Sequence, residues 1–117
     1  MPPDVPKWLE DIRNAAEYII SATQRESIET LAAQRTLRQA VERNFEIIGE
    51  ALNRISRADE PTASLLTDRR RIIAFRNILI HSYDHIDMEI VWEVIRNSLP
   101  ALLREVETLL RQSQQSP

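Results

Sequence analysis

An all-α protein, folded as one antiparallel bundle of four to five helices, is what this 117-residue sequence predicts. Three observations carry the prediction. The chain has a single glycine, Gly49, and little of the β-branched alternation from which strands are built. Apolar residues recur at helical spacing almost throughout. Residues that start helices stand where the periodic stretches begin: Asp4 with Pro6, then Ser27, then Asp87.

The first helix opens with Asp4 as cap and Pro6 in its first turn, where the missing N–H costs nothing. Trp8, Ile12, Ala15, Ala16 and Ile19 share one face, and the pattern fades near Ser21–Gln24. Ser27 caps a short piece from Ile28 to Gln34. A long helix then runs from about Thr36 to Arg57, with Leu37, Val41, Phe45, Ile48, Leu52 and Ile55 spaced three or four apart. That spacing is a seam for packing against other helices. Gly49 lies beside it and costs about 1 kcal/mol against alanine, which suggests a close helix–helix approach. Ala58 to Thr67 is the longest loop. A third helix covers Asp68 to His81, with Ile72, Phe75 and Leu79 facing the core. Asp87 caps a fourth, carrying Ile90, Val91, Val94, Ile95, Leu99, Leu102, Leu103, Val106, Leu109 and Leu110. Pro100 inside it should kink or split it, because the ring meets the carbonyl of Arg96. The tail 113–117 should fray.

This length suits a single domain spanning residues 1–117. With no cysteine there is neither a disulfide framework nor a thiolate metal site. The chain opens without the basic-then-apolar pattern of a secretory signal, and no stretch approaches the roughly 20 apolar residues that cross a bilayer. A soluble, cytoplasmic protein without membrane contact is expected. The net charge of −3 speaks against broad non-specific binding to nucleic acid. Yet Arg69, Arg70, Arg71 and Arg76 stand against one aspartate between Asp68 and His81, a local basic patch suited to a confined anion.

One glycine leaves no phosphate-cradling loop, and G-x-S-x-G is absent. His81 and His85 have the spacing of paired metal ligands, but the helix should end before His85, so a turn histidine in solvent is the better reading; neither metal nor cofactor is expected. What remains is Arg76-Asn77-x-x-x-His81-x-Tyr83. Arginine brings a permanent forked cation matched to phosphate, and histidine moves protons near neutral pH. Together they suffice for metal-independent RNA cleavage, in which a ribose 2′-hydroxyl attacks its neighbouring phosphodiester. Asn77, one turn before His81, is placed to orient the imidazole. Arg76 and His81 are five apart, about 140° around a regular helix, so they cannot both face one small phosphate unless the turn near Ile80 is distorted or two protomers share a cleft. The plainer alternative is a solvated arginine and a histidine favoured by the helix dipole. On the second helix Arg43, Glu46, Glu50, Arg54 and Arg57 form a charged stripe. Ordinary ion pairs along a wet face explain it, and the sharper reading has Glu46 or Glu50 orienting Arg76 or His81.

The string Arg76-Asn77-(three residues)-His81-Ser82-Tyr83 resembles the R-x4-H-x-Y signature of HepT toxins in the HEPN superfamily. The segment Ala40 to Leu52 is similar to that family's second helix. Downstream of the motif, Tyr83-Asp84-His85-Ile86-Asp87 with Ile90-Val91-Trp92 is also similar to HepT. The likeness spans about Trp8 to Leu110. It implies a homodimeric, metal-independent ribonuclease toxin acting on tRNA or mRNA, with Arg76 and His81 catalytic and Asn77 and Tyr83 in support. It also implies a partner, a minimal nucleotidyltransferase antitoxin of the MntA type, that silences the toxin by adding AMP to Tyr83. The alternative is a helical dimer that binds such a partner or a nucleotide and cleaves nothing.

Overall fold

The computed structural model describes residues 1–81 and 87–115, with the side chains of His81 and Gln115 outside the described set. Its described elements are all helical: α1 (Val5–Thr23), α2 (Ile28–Ala33), α3 (Arg35–Ala58), α4 (Glu60–Ala63), α5 (Arg69–His81), α6 (Met88–Glu93), a π-helical segment (Val94–Ser98) and α7 (Leu99–Gln115). Helix α1 packs on α3 and α7, and α3 packs on α5. Helices α3 and α5 run antiparallel: Ser56 and Gly49 on α3 meet Arg69 and Arg76 on α5. Counting α6 through α7 as one rod, the four long helices form the predicted bundle, with α2 and α4 as short bridges.

The core is one cluster. It joins Leu9, Ile12 and Ile19 of α1 to Phe45, Ile48, Leu52 and Ile55 of α3, then to Ile72, Phe75 and Leu79 of α5 and Leu99, Leu102 and Val106 of α7. Phe45 and Phe75 meet edge to face at 4.8 Å and pin α3 to α5. The buried face of α1 lies slightly off the predicted one. It runs through Val5 and Leu9, and Trp8 sits at its half-buried edge.

Helix ends follow local chemistry. Ser27 caps α2 through a reciprocal box with Thr30, the hydroxyl accepting from the Thr30 N–H at 3.1 Å. Asp87 accepts from the Glu89 N–H at 2.9 Å and starts α6. Asp4 stands at the cap position of α1 without a side-chain hydrogen bond. The expected loop from Ala58 to Thr67 contains one turn, α4, because Asp59 accepts from both the N–H and the hydroxyl of Thr62.

Several expectations are corrected. Pro100 does not end the rod: helix continues from Met88 to Gln115, with a π-helical turn, Val94–Ser98, dividing its two α-helical parts. The turn before the proline widens, with the Leu99 N–H bonded to the carbonyl of Val94 five residues back. That i→i−5 register opens the ladder where the ring enters and absorbs the clash. Arg96, carried on this wide turn, stacks 4.3 Å over Trp92 and donates to the carbonyls of Thr23 and Glu26, tying the rod to the end of α1. Ile90, expected in the core, is 41 % exposed, and Leu103 is only partly buried. The last helix extends through Gln115. No helix among the described residues is long and apolar enough to cross a membrane.

The arginine cluster does not form one patch. Successive residues on α5 point about 100° apart, so Arg69, Arg71 and Arg76 each find a different carboxylate. Arg69, nearly buried, pairs with Glu60, and Arg71 pairs with Glu93 at 2.6 Å. The Arg69 guanidinium, hydrogen-bonded to Glu60, holds that carboxyl below the usual carboxylate range. A folded-state pKa lower than the unfolded one adds stability at neutral pH, and that stability is lost as pH falls through the folded value. Glu60→Gln should therefore lower the Tm at pH 7, and its gap from the wild type should close in strong acid. Thermal melts across pH check this, and a gap that persists in acid would show that the pair does not act through ionisation.

Candidate active site

Arg76 is placed by two consecutive residues of α3. Gly49 provides the space: a Cβ built there would lie 2.5 Å from the Arg76 Cγ and 2.6 Å from its Cβ. The close approach suggested by the lone glycine thus exists, and it is made against Arg76 itself. Glu50 provides the charge, one carboxylate oxygen standing 3.3 Å from a terminal guanidinium nitrogen of Arg76. Its other oxygen accepts from Arg54 Nε at 3.2 Å, so one carboxylate bridges two guanidinium groups. Glu50 makes an ordinary i,i+4 pair with Arg54 and also reaches Arg76 on α5. Glu46 pairs with Arg43 at 3.3 Å, on its own helix.

The other terminal nitrogen of Arg76 donates to Asn77 Oδ1 at 3.3 Å. Arg76 Nε is buried with no hydrogen-bond partner among the described residues. An unmet buried donor on a charged group is costly, and such atoms are tolerated where the group has another task. The Arg76 side chain is 23 % exposed and forms part of the wall of a cleft of about 410 Å³ between α1 and α3. Trp8, Asp11, Glu46, Glu50 and Arg54 also line it. Sequence reasoning missed Trp8, Asp11 and Arg54 as neighbours of Arg76. They come from other helices, and no local spacing announces them.

Helix α5 stays α-helical through His81. The distorted turn near Ile80 is therefore not found, and the backbone directs positions 76 and 81 about 140° apart on one protomer. The structure brings Arg76, Asn77 and Glu50 together. The His81 side chain and residues 82–86, among them Tyr83 and His85, lie outside the described residues, as does the metal pair weighed for His81 and His85.

The chain is similar in sequence to known proteins. The profile of the family described as Ribonuclease HepT-like matches residues 12–109, a stretch that includes Gly49, Glu50, Arg76 and His81. The chain belongs to the HepT-like ribonuclease family. Among relatives, "Putative RNase MJ1380" from Methanocaldococcus jannaschii is 33% identical over 107 residues, covering 89% of this chain and 94% of that one. "Probable ribonuclease HepT" from Thermococcus cleftensis is 31% identical over 102 residues, covering 87% and 92%. "Putative RNase TTE0752" from Caldanaerobacter subterraneus is 30% identical over 104 residues, covering 89% and 92%. No solved structure matches. In this HepT-like chain, Arg76 at the α3–α5 junction with Gly49 and Glu50 is also the first residue of the Arg76-x4-His81 string.

Proposed function

We propose that this HepT-like protein is a metal-independent ribonuclease toxin of the cytoplasm, active as a homodimer and silenced by AMPylation of Tyr83 by a minimal nucleotidyltransferase antitoxin. The observation that carries the reading is Arg76: a half-buried guanidinium seated on the only glycine, steered by Glu50 and Asn77, with an Nε–H unmet among the described residues. Such a group is organised to receive an anion before the anion arrives.

Cleavage of tRNA or mRNA would proceed through the ribose. The 2′-hydroxyl loses its proton to His81 as its oxygen bonds to phosphorus, and the bond from phosphorus to the 5′-oxygen breaks. The products are a 2′,3′-cyclic phosphate and a 5′-hydroxyl, with no metal required. Arg76 stabilises the charge on the phosphoryl oxygens, and Asn77 orients both neighbours. The regular α5 supports a two-protomer site, since one helix directs positions 76 and 81 apart. A two-fold pair would also supply the partner's His81, one imidazole accepting a proton and the other giving one to the leaving oxygen. A nucleotide on Tyr83, seven residues from Arg76 in sequence, would put a phosphate in competition for the same guanidinium.

The test is cleavage of tRNA and mRNA by purified protein in excess EDTA, before and after incubation with the nucleotidyltransferase and ATP. Cleavage should survive EDTA, then cease as the protein gains one AMP by mass, and Tyr83→Phe should block both the mass gain and the silencing. If neither RNA is cut, the protein is a helical docking partner of the nucleotidyltransferase and the ribonuclease reading is wrong.

A further inference from the structure

The cleft between α1 and α3 has a use that phosphate chemistry alone does not explain. We infer that it holds a nucleobase of the RNA, stacked on Trp8, beside the phosphate taken by Arg76. The inference rests on the ribonuclease reading and extends it to the part of the substrate that the site would recognise.

Three observations lead there. Trp8 and Arg76 line the same cleft, so a ligand whose phosphate meets Arg76 has an indole ring within its reach. At about 410 Å³ the cleft has room for one nucleoside and not for a folded nucleic acid. Its charges balance: Arg43, Arg54 and Arg76 face Asp11, Glu46 and Glu50. A second phosphate would be opposed by those carboxylates. A neutral, flat ring edged with donors and acceptors meets both kinds of partner and an aromatic surface. That description fits an unpaired base, which single-stranded RNA presents by stacking on aromatic side chains.

Trp8 itself supports the assignment. Most of its apolar neighbours on α1, Val5, Leu9, Ile12 and Ile19, are fully buried, whereas Trp8 is packed against the core but only partly buried. The bland explanation, a ring closing the rim of the core, accounts for its packed side and not for its place beside Arg76.

The protein has two tryptophans, so Trp92→Phe leaves Trp8 as the only indole reporter. Fluorescence of that variant would be titrated with each of the four 3′-nucleoside monophosphates and, separately, with inorganic phosphate. The proposal expects saturable quenching by nucleotides, weakened about tenfold or more by Arg76→Ala, and none by phosphate alone. Absence of saturable quenching at millimolar nucleotide, or quenching indifferent to Arg76→Ala, overturns it. In the cleavage assay Trp8→Leu, which keeps the apolar bulk, should raise KM about tenfold with kcat little changed, and Trp8→Phe should restore most of the loss. Unaltered KM in a folded Trp8→Leu protein overturns the base subsite while the ribonuclease reading stands. A wild type that binds nucleotide at Trp8 and cuts no RNA overturns the ribonuclease reading instead.

Discussion

His81→Ala should reduce RNA cleavage by about 10²–10⁴-fold while the protein keeps its fold and its oligomeric state. The size follows from the role: without the imidazole the 2′-hydroxyl must lose its proton to water, and the leaving oxygen must gain one from water. Little loss of stability is expected, because His81 is the last residue of α5 and the apolar contacts of that helix are made by Ile72, Phe75 and Leu79. Cleavage rates for the wild type and the variant, with a thermal melt and a sizing measurement on each, decide the matter. A variant that cuts at the wild-type rate would remove His81 from the reaction. One that cuts slowly only because it is unfolded would say nothing about chemistry, and the melt identifies that case.

Gly49→Ala should be the most damaging single-methyl change in the protein, costing about 10²-fold in cleavage. The added Cβ would lie 2.5 Å from the Arg76 Cγ and 2.6 Å from its Cβ. The second contact decides the case. A Cβ is fixed to its backbone and cannot rotate away, so α3 and α5 must separate or slide and carry Arg76 with them. Overpacking of this kind costs about 1–3 kcal/mol, of which better helix propensity returns about 1. The stability loss is therefore modest, and the loss of activity is the larger signal. Leu102→Ala is the control: it hollows the core on α7, lowers stability by about 2–5 kcal/mol and leaves the α3–α5 junction alone. Cleavage per folded molecule should fall in Gly49→Ala and stay level in Leu102→Ala. Equal activity per folded molecule in both would show that the glycine is merely tolerated.

The parts of the fold legible in the sequence were those decided locally. The seam of α3, the Ser27 and Asp87 caps and the core face of α5 depend on residues within a turn or two of each other, and they stand as expected. Ile90 failed because it and Val91 compete for one stripe. The rotation of α6 against its neighbours decides between them, and that is set at a distance. The wide turn before Pro100 was half legible: the clash was evident, but whether a helix breaks or shifts register depends on what holds it, here the contacts of Arg96 with α1. The arginine cluster misled because closeness in sequence is not closeness in space on a helix. Arg69, Arg71 and Arg76 diverge to Glu60, Glu93 and Glu50. At the site, Arg76 and Asn77 were legible as a motif, and Gly49 as an anomaly. Trp8 was not, because only the packing of α1 on α3 brings it near.

The carboxylate shared by Arg54 and Arg76 would also make the site choosy about small anions. Glu50 is anchored 3.3 Å from Arg76 and never diffuses away, so it competes for that guanidinium as though present at millimolar concentration or above. Orthophosphate or acetate in solution meets an occupied clamp and has only its own charge with which to displace the incumbent. A polymer brings several contacts together and can dislodge it, after which Arg54 stands ready to receive the released carboxylate. On the ribonuclease reading, Glu50 would act as a tethered stopper, screening out loose salts and yielding to a long chain.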